Sequence, residues 1–415
     1  MSANEAHRGP ETETHAADPS PARGAARRAD PRLVLGACGL AIFTDVVGTG
    51  IVIPAIPTFA AMFDASEADM GFAFAMFALA FLVSVLPLGA LVDRTGRIDL
   101  IVGAGMVLVA LAAVSFALAS SIWVLSLGQA FHGAGSAATW VAAQPLAARL
   151  ASGGKRRGLM LSAITIAMGL GLVAGPLVGA IGGLRTPFVL YLGLACVAAV
   201  TSVVVLRGQG GGERSGGMQY RTVLRNPRVA AACLAILVLY LGIGALEVLF
   251  PLFMDANGVE KSGIGVLFFW FAVFLVGSQP FAGRWMDRIG PVTPTVASLV
   301  VVAAMLPLSV IGAGFAAWIP VFMVLGVATG IPISATMLLV ATSTRAGERG
   351  AAYALWNFSF SIGYLIGPAL GGALAVWAGA WGDVAGLRFP FFVVSAVTLI
   401  AAPTFAWLVR RRAPA

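Results

Sequence analysis

Two carboxylates and one imidazole lie where a charge is hardest to keep. Of the 18 acidic residues, all fall in the first 31 residues or near loops except Asp45 and Glu247, which interrupt long apolar runs. A charge at the centre of a bilayer costs about 2.5–3.5 kcal/mol on insertion scales, so such a residue marks a functional site by default. A carboxylate in that position is able to hold a proton and a cation in turn, and so couple their opposite movements. The alternative is a neutral acid hydrogen-bonded to a neighbouring helix. His132 sits inside a third apolar run, and imidazole ordinarily titrates near neutrality. One histidine and two widely separated carboxylates make no convincing catalytic set, so no enzyme is expected. Cys38, Cys196 and Cys233 all lie in apolar runs without a C-x-x-C pair. They read as small packing residues, and neither a metal site nor a cofactor is expected.

Apolar helices must position these groups. Hydrophobic residues make up 59% of the 415 and charged ones 11%, well under the roughly 25% charged of a soluble domain. One core could not hide that much apolar surface, so lipid must cover much of it. A crossing needs about 20 apolar residues. Read from charge to charge, 33–63 and 70–92 hold one span each, 100–148 holds two, and 158–184 and 186–206 one each. After a polar, Gly-rich stretch the pattern returns: 229–254, 262–283, two in 289–344, 351–382 and 389–409. The expected fold is an all-α membrane protein of twelve transmembrane helices in two six-helix bundles. Its domains read as a disordered tail (1–31), a first bundle (32–207), a linker (208–227), a second bundle (228–410) and a short tail (411–415).

Charge placement tests the count. With the N-terminus cytoplasmic, only Arg185, Lys261 and Arg388 fall outside, leaving 23 of the 26 basic residues inside. That asymmetry follows the positive-inside rule and predicts both termini in the cytoplasm, in the cell's inner (plasma) membrane. The net charge of +8 is thus a topology signal and an attraction to anionic lipid, and no nucleic-acid partner is expected.

The halves repeat. Gly48, Gly50 and Pro57 return 194 residues later as Gly242, Gly244 and Pro251, and Gly89, Asp93, Arg94 and Gly96 as Gly283, Asp287, Arg288 and Gly290. Gly175-Pro176 returns as Gly367-Pro368. A parallel duplication puts a pseudo-two-fold axis along the membrane normal and a substrate site between the halves.

The loop Gly89-Ala-Leu-Val-Asp93-Arg94-Thr-Gly96-Arg97 resembles the signature loop of the major facilitator superfamily. Span 5, with Gly171, Gly175, Pro176 and Gly179, resembles the motif of that superfamily's antiporters. Span 1, from Asp45 to Pro57, is similar to the first helix of twelve-span drug:proton antiporters. The resemblance implies secondary active export of amphipathic or cationic molecules, drugs or natural products, in exchange for protons by alternating access. A transporter of a metabolite such as a sugar or amino acid is the alternative. It also implies a chain that works as a monomer.

For single residues the implications are more specific. Asp93, Arg94 and Arg97, with Asp287 and Arg288 in the second copy, imply a gating latch, although Pro291 stands where Arg97 repeats. Gly89 and Gly96 would let the chain turn tightly. Gly171, Gly175, Gly179 and Gly183 form one stripe for close helix packing, with a bend at Pro176. Span 4 departs from the family pattern: Gln129 stands where an arginine is implicated in proton transfer, and His132 where the pattern has glutamine. His132 then takes over the relay or makes an inert interhelical bond. Trp140, Gln144, Trp270, Trp356 and Asn357 suit an aromatic, weakly polar cavity for organic cations, or packing against lipid. No P-loop is present and Gly169-Leu-Gly171 lacks a surrounding βαβ pattern, so an ion gradient is the expected drive.

Overall fold

The computed structural model describes residues 30–411 apart from 153–156, 210–222, 224, 312–313 and 346–347. The expected N-terminal tail (but for its last residues), most of the linker and residues 412–415 lie outside the described residues. Every regular element among those described is helical. The first half holds α1 (Pro31–Ile51), α2 (Glu67–Thr95), α3 (Ile98–Ala117), α4 (Ile122–Ser152), α5 (Arg157–Ala180) and α6 (Thr186–Val205). The second holds α7 (Pro227–Ala256), α8 (Lys261–Ile289), α9 (Val292–Ile311), α10 (Phe315–Ser343), α11 (Arg349–Ala378) and α12 (Asp383–Arg410). A single 3₁₀ turn at Ile53–Ala55 carries α1 on into Ile56–Phe63. Among the described residues ten helices are long and apolar enough to cross a membrane. The other two, α4 and α5, flank residues 153–156, and Ile166–Ala180 of α5 is itself apolar.

Helices suit this setting because each satisfies its own backbone hydrogen bonds where no water reaches. Their ends follow local chemistry. Asp30 caps α1 by accepting from the Arg32 N–H at 2.8 Å, with Pro31 in the first turn. Asn226 caps α7 in the same way, accepting from Arg228 N–H at 3.0 Å beside Pro227. Ser66 and Asp69 form a capping box at the start of α2. Gly96 and Gly290 end α2 and α8 with positive φ, 61° and 75°, a backbone that side chains resist. Gly89 is different. It lies within α2, and a Cβ there would meet nothing within 4 Å. The tight turn belongs to Gly96 alone.

Each half packs by one scheme. In the first, α1 lies on α5, α2 on α4, and α3 on α4 and α6; in the second, α7 lies on α11, α8 on α10, and α9 on α10 and α12. Glycines set the closest approaches. A Cβ on Gly50 would come within 2.7 Å of Pro176 Cδ, and one on Gly244 within 2.7 Å of Pro368 Cδ. Gly175 faces Gly50 Cα and the Val47 carbonyl, both at 2.9 Å from such a Cβ, and Gly171 faces the Phe43 carbonyl. The stripe therefore docks α5 on α1 within one half. Gly183 is not part of it. α5 ends at Ala180, and a Cβ on Gly183 would meet open space.

The halves meet along α2–α11 and α5–α8. At the end where Phe63 leads into α2, backbones almost touch: a Cβ on Gly372 would lie 2.9 Å from Ala68 Cα, and one on Gly265 2.8 Å from the Pro176 carbonyl. Toward the Gly96 and Gly290 end, the same four helices leave Leu86, Ile166, Phe281 and Phe358 exposed. The seam is tightly packed at the Phe63 end.

Candidate functional site

Asp45 is 2% exposed, on the face of α1 turned toward α4. There His132, Ser136 and Trp140 follow at intervals of four, which puts them on one stripe of the helix. Ser136 Oγ donates to Asp45 Oδ2 at 2.9 Å and Trp140 Nε1 donates to the same oxygen at 2.8 Å. His132 Nε2 lies 3.1 Å from the Asp45 carbonyl oxygen and 3.5 Å from Oδ1. Both neighbours accept, so this nitrogen faces them with its N–H. Oδ2 is thus saturated by neutral donors, while Oδ1 has only the imidazole near it. Trp140 is half-buried, while Asp45, His132 and Ser136 are buried.

Gln129, one turn before His132, is buried within α4 at 4% exposed. The Gln144 and Asp93 side chains lie outside the described residues.

Glu247 makes the second centre. It is 8% exposed on α7 and accepts a short hydrogen bond from the Tyr364 hydroxyl of α11. Around it stand Tyr240, whose ring meets Phe360 edge-on at 4.2 Å, and Phe360, which stacks on Tyr364 at 6.1 Å. At the repeat offset of 194, Leu239, next to Tyr240, occupies the position that Asp45 has in the first half, so the two carboxylates are not repeat equivalents.

Rings join the two centres. Phe77 of α2 lies 4.9 Å from the His132 ring and 5.8 Å, edge-on, from Tyr364. Phe81 reaches Phe360 at 6.3 Å. Each such pair adds about 0.5–1.5 kcal/mol beyond its buried area. The path Asp45–His132–Phe77–Tyr364–Glu247 therefore crosses the seam between the halves without a gap in contact.

The remaining expected cavity residues do not join either carboxylate among the described contacts. Trp356 is buried and donates to Thr336 Oγ1 at 3.0 Å, tying α11 to α10. Asn357 is exposed and its amide donates to the Tyr353 carbonyl at 3.0 Å. Trp270 is half-buried among Phe269 and Phe274. In the signature loop, Arg97 pairs with Asp99 at the start of α3, 3.2 Å away. Arg94, Asp287 and Arg288 are exposed, and among the described residues no ion pair joins them to the opposite half. The described residues hold no cluster of metal-ligating side chains.

Comparison with known proteins adds the family. The profile of the Major Facilitator Superfamily matches residues 38–241 and 232–415. The chain belongs to the major facilitator superfamily. It is a multi-pass membrane protein. Multidrug resistance protein 2 of Bacillus subtilis is 32% identical over 42% of this chain and 42% of its own length. The human synaptic vesicular amine transporter is 25% identical over 74% of this chain and 61% of its own. The match therefore spans less than two thirds of either relative. The class B tetracycline resistance protein of Escherichia coli is 24% identical over 84% of this chain and 91% of its own. Among solved structures, a bacterial homologue of the lysosomal transporter Spinster, in an inward-facing and unoccupied conformation, superposes with a TM-score of 0.79. It is 15% identical and covers 94% of this chain and all of its own, a likeness of fold.

Proposed function

We propose that this major facilitator chain exports amphipathic or cationic organic molecules in exchange for protons, by alternating access of one central site. The observation that carries the reading is Asp45: a carboxylate buried in the membrane, held by Ser136 and Trp140 on one oxygen and faced by His132 on the other. A proton or a substrate cation satisfies that oxygen, one at a time, and this exclusion is what couples opposite fluxes. Glu247 serves as a second coupling or substrate-binding group in the other half. The half-buried Trp140 indole offers a face to a flat cation. Gln129 supports the α4 stripe without carrying charge.

The halves 32–207 and 228–410 rock against each other about the α2–α11 and α5–α8 seams, as a monomer with both termini in the cytoplasm of a cell-membrane protein. On that topology the tightly packed end of the seam is external. The loop residues Gly89, Asp93, Arg94, Gly96, Arg97, Asp287 and Arg288 form the latch that engages in the opposite state.

Relatives support the substrate class, since their names speak of multidrug resistance, tetracycline resistance and amine transport. The experiment uses inside-out vesicles loaded with a pH-sensitive dye and a panel of lipophilic cations and antibiotics. Substrate-triggered proton release by the wild type, absent in Asp45→Asn, is the expected result. A silent panel, with radiolabelled sugars or amino acids moving instead, would replace this reading with metabolite transport.

A further inference from the structure

Tyr191 of α6 stands beside the coupling carboxylate, although α6 otherwise turns much of its length to the surroundings, with Val197, Val200 and Val204 exposed. Tyr191 is 1% exposed, and its hydroxyl has no hydrogen-bond partner in the protein. An orphaned buried hydroxyl costs roughly 1–3 kcal/mol, so its placement asks for a reason. It reaches the interior because residue 48 is glycine. A Cβ there would collide with the Tyr191 oxygen and come within 2.7 Å of His132 Nε2. The two rings meet edge-on at 6.3 Å. Asp45 Oδ1 and His132 Nδ1 are also buried without a bonded partner. Three orphaned polar atoms thus belong to one small cluster.

We infer that Asp45, His132 and Tyr191 form a single proton-holding centre in which the Tyr191 hydroxyl sets how tightly the imidazole keeps its proton. The step is a shift of one proton. Imidazolium Nε2–H gives its proton to Asp45 Oδ1, leaving a neutral imidazole and a neutral acid. The Nε2 lone pair then accepts the Tyr191 hydroxyl, a donor that has no other acceptor. Without that hydroxyl the deprotonated nitrogen has only the new Oδ1–H, across 3.5 Å, to face it, and the ring keeps its proton more tightly. Among the described residues no other titratable group intrudes on the cluster. α2 offers it the Phe77 ring, residues 166–180 of α5 carry no titratable side chain, and the one on α3, Asp99, pairs with Arg97. The assignment deepens the exchange reading and rests on it only for the use made of the proton. Tyr191 and Gly48 act as positioning residues.

The test reads the imidazole directly. The chain has three histidines, and the other two, His7 and His15, precede the described residues, so ¹⁵N-histidine labelling of the full protein in lipid nanodiscs isolates His132, with His132→Gln assigning the signal. In Tyr191→Phe, which keeps the ring and its packing, the midpoint of the His132 titration should move to higher pH by about half a unit or more, roughly threefold in proton affinity. Tyr364→Phe, which removes a hydroxyl from the other centre, should leave it in place. An unmoved midpoint in Tyr191→Phe, or an equal shift in Tyr364→Phe, overturns the assignment. Because no transport is measured, a chain that released no protons would sink the exchange reading while leaving this result to stand.

Discussion

At the residue scale, the Asp45 cluster differs from an ordinary buried acid in how its bonds are divided. Two neutral donors hold Oδ2 and so fix the carboxylate's rotation, which leaves Oδ1 as the exchangeable face. Removing one donor should therefore impair substrate recognition before it impairs folding. Trp140→Phe keeps the aromatic bulk but deletes a hydrogen bond to a charged group, an interaction of about 1.5–3 kcal/mol. The expected outcome is a rise of about tenfold or more in the substrate concentration that gives half-maximal proton release, read in vesicles; an unchanged concentration would contradict it. Asp45, Glu247 and His132 were legible in the chain because a polar group in an apolar run stands out. Ser136 was not, though its spacing of four from both His132 and Trp140 was the available signal. Tyr191, Tyr364 and Phe77 were invisible, because an aromatic in an apolar helix looks the same whether it packs against lipid or against a carboxylate. Only the folded chain shows that Gly48 leaves room for one of them.

At the element scale, the glycines divide into those that let helices touch and those that do not. Gly175→Val would press a branched side chain against Gly50 Cα and the Val47 carbonyl. Overpacking of that kind costs about 1–3 kcal/mol, so the melting temperature in detergent should fall, and the matching change at Gly367 should behave alike. Gly89→Ala is the opposite case. The site is an open position within α2, where alanine favours helix by up to about 1 kcal/mol. Its melting temperature should hold or rise, and a drop would show that the loop glycine has a packing role the contacts do not reveal. The stripe in span 5 was readable from its period, but its partner was not, since period says which residues share a face and nothing about what that face meets. Gly183 keeps the period but lies past the end of the helix at Ala180, so spacing alone does not say where the stripe stops.

At the scale of the whole molecule, the duplication is the most legible feature. Offsets near 194 in the chain become matching approaches of Gly50 to Pro176 and of Gly244 to Pro368. What the repeat could not foretell is the asymmetry of function, a carboxylate on α1 facing α4 in one half and a carboxylate on α7 bonded to α11 in the other. The tightly packed end of the seam makes its own prediction. A Cβ on Gly372 would lie 2.9 Å from Ala68 Cα and collide with the Glu67 carbonyl across α2 and α11, so Gly372→Val should force the two helices apart at this end. Export should fall and the melting temperature in detergent drop; a variant that exports and melts like the wild type would contradict a tightly packed seam. The most direct test of the central claim is flux itself. The purified chain in liposomes, with the membrane potential clamped, is given an acid interior and radiolabelled tetraphenylphosphonium outside. Accumulation that follows the proton gradient in the wild type and vanishes in Asp45→Asn is the predicted result; accumulation that ignores the gradient, or that survives intact in Asp45→Asn, contradicts it.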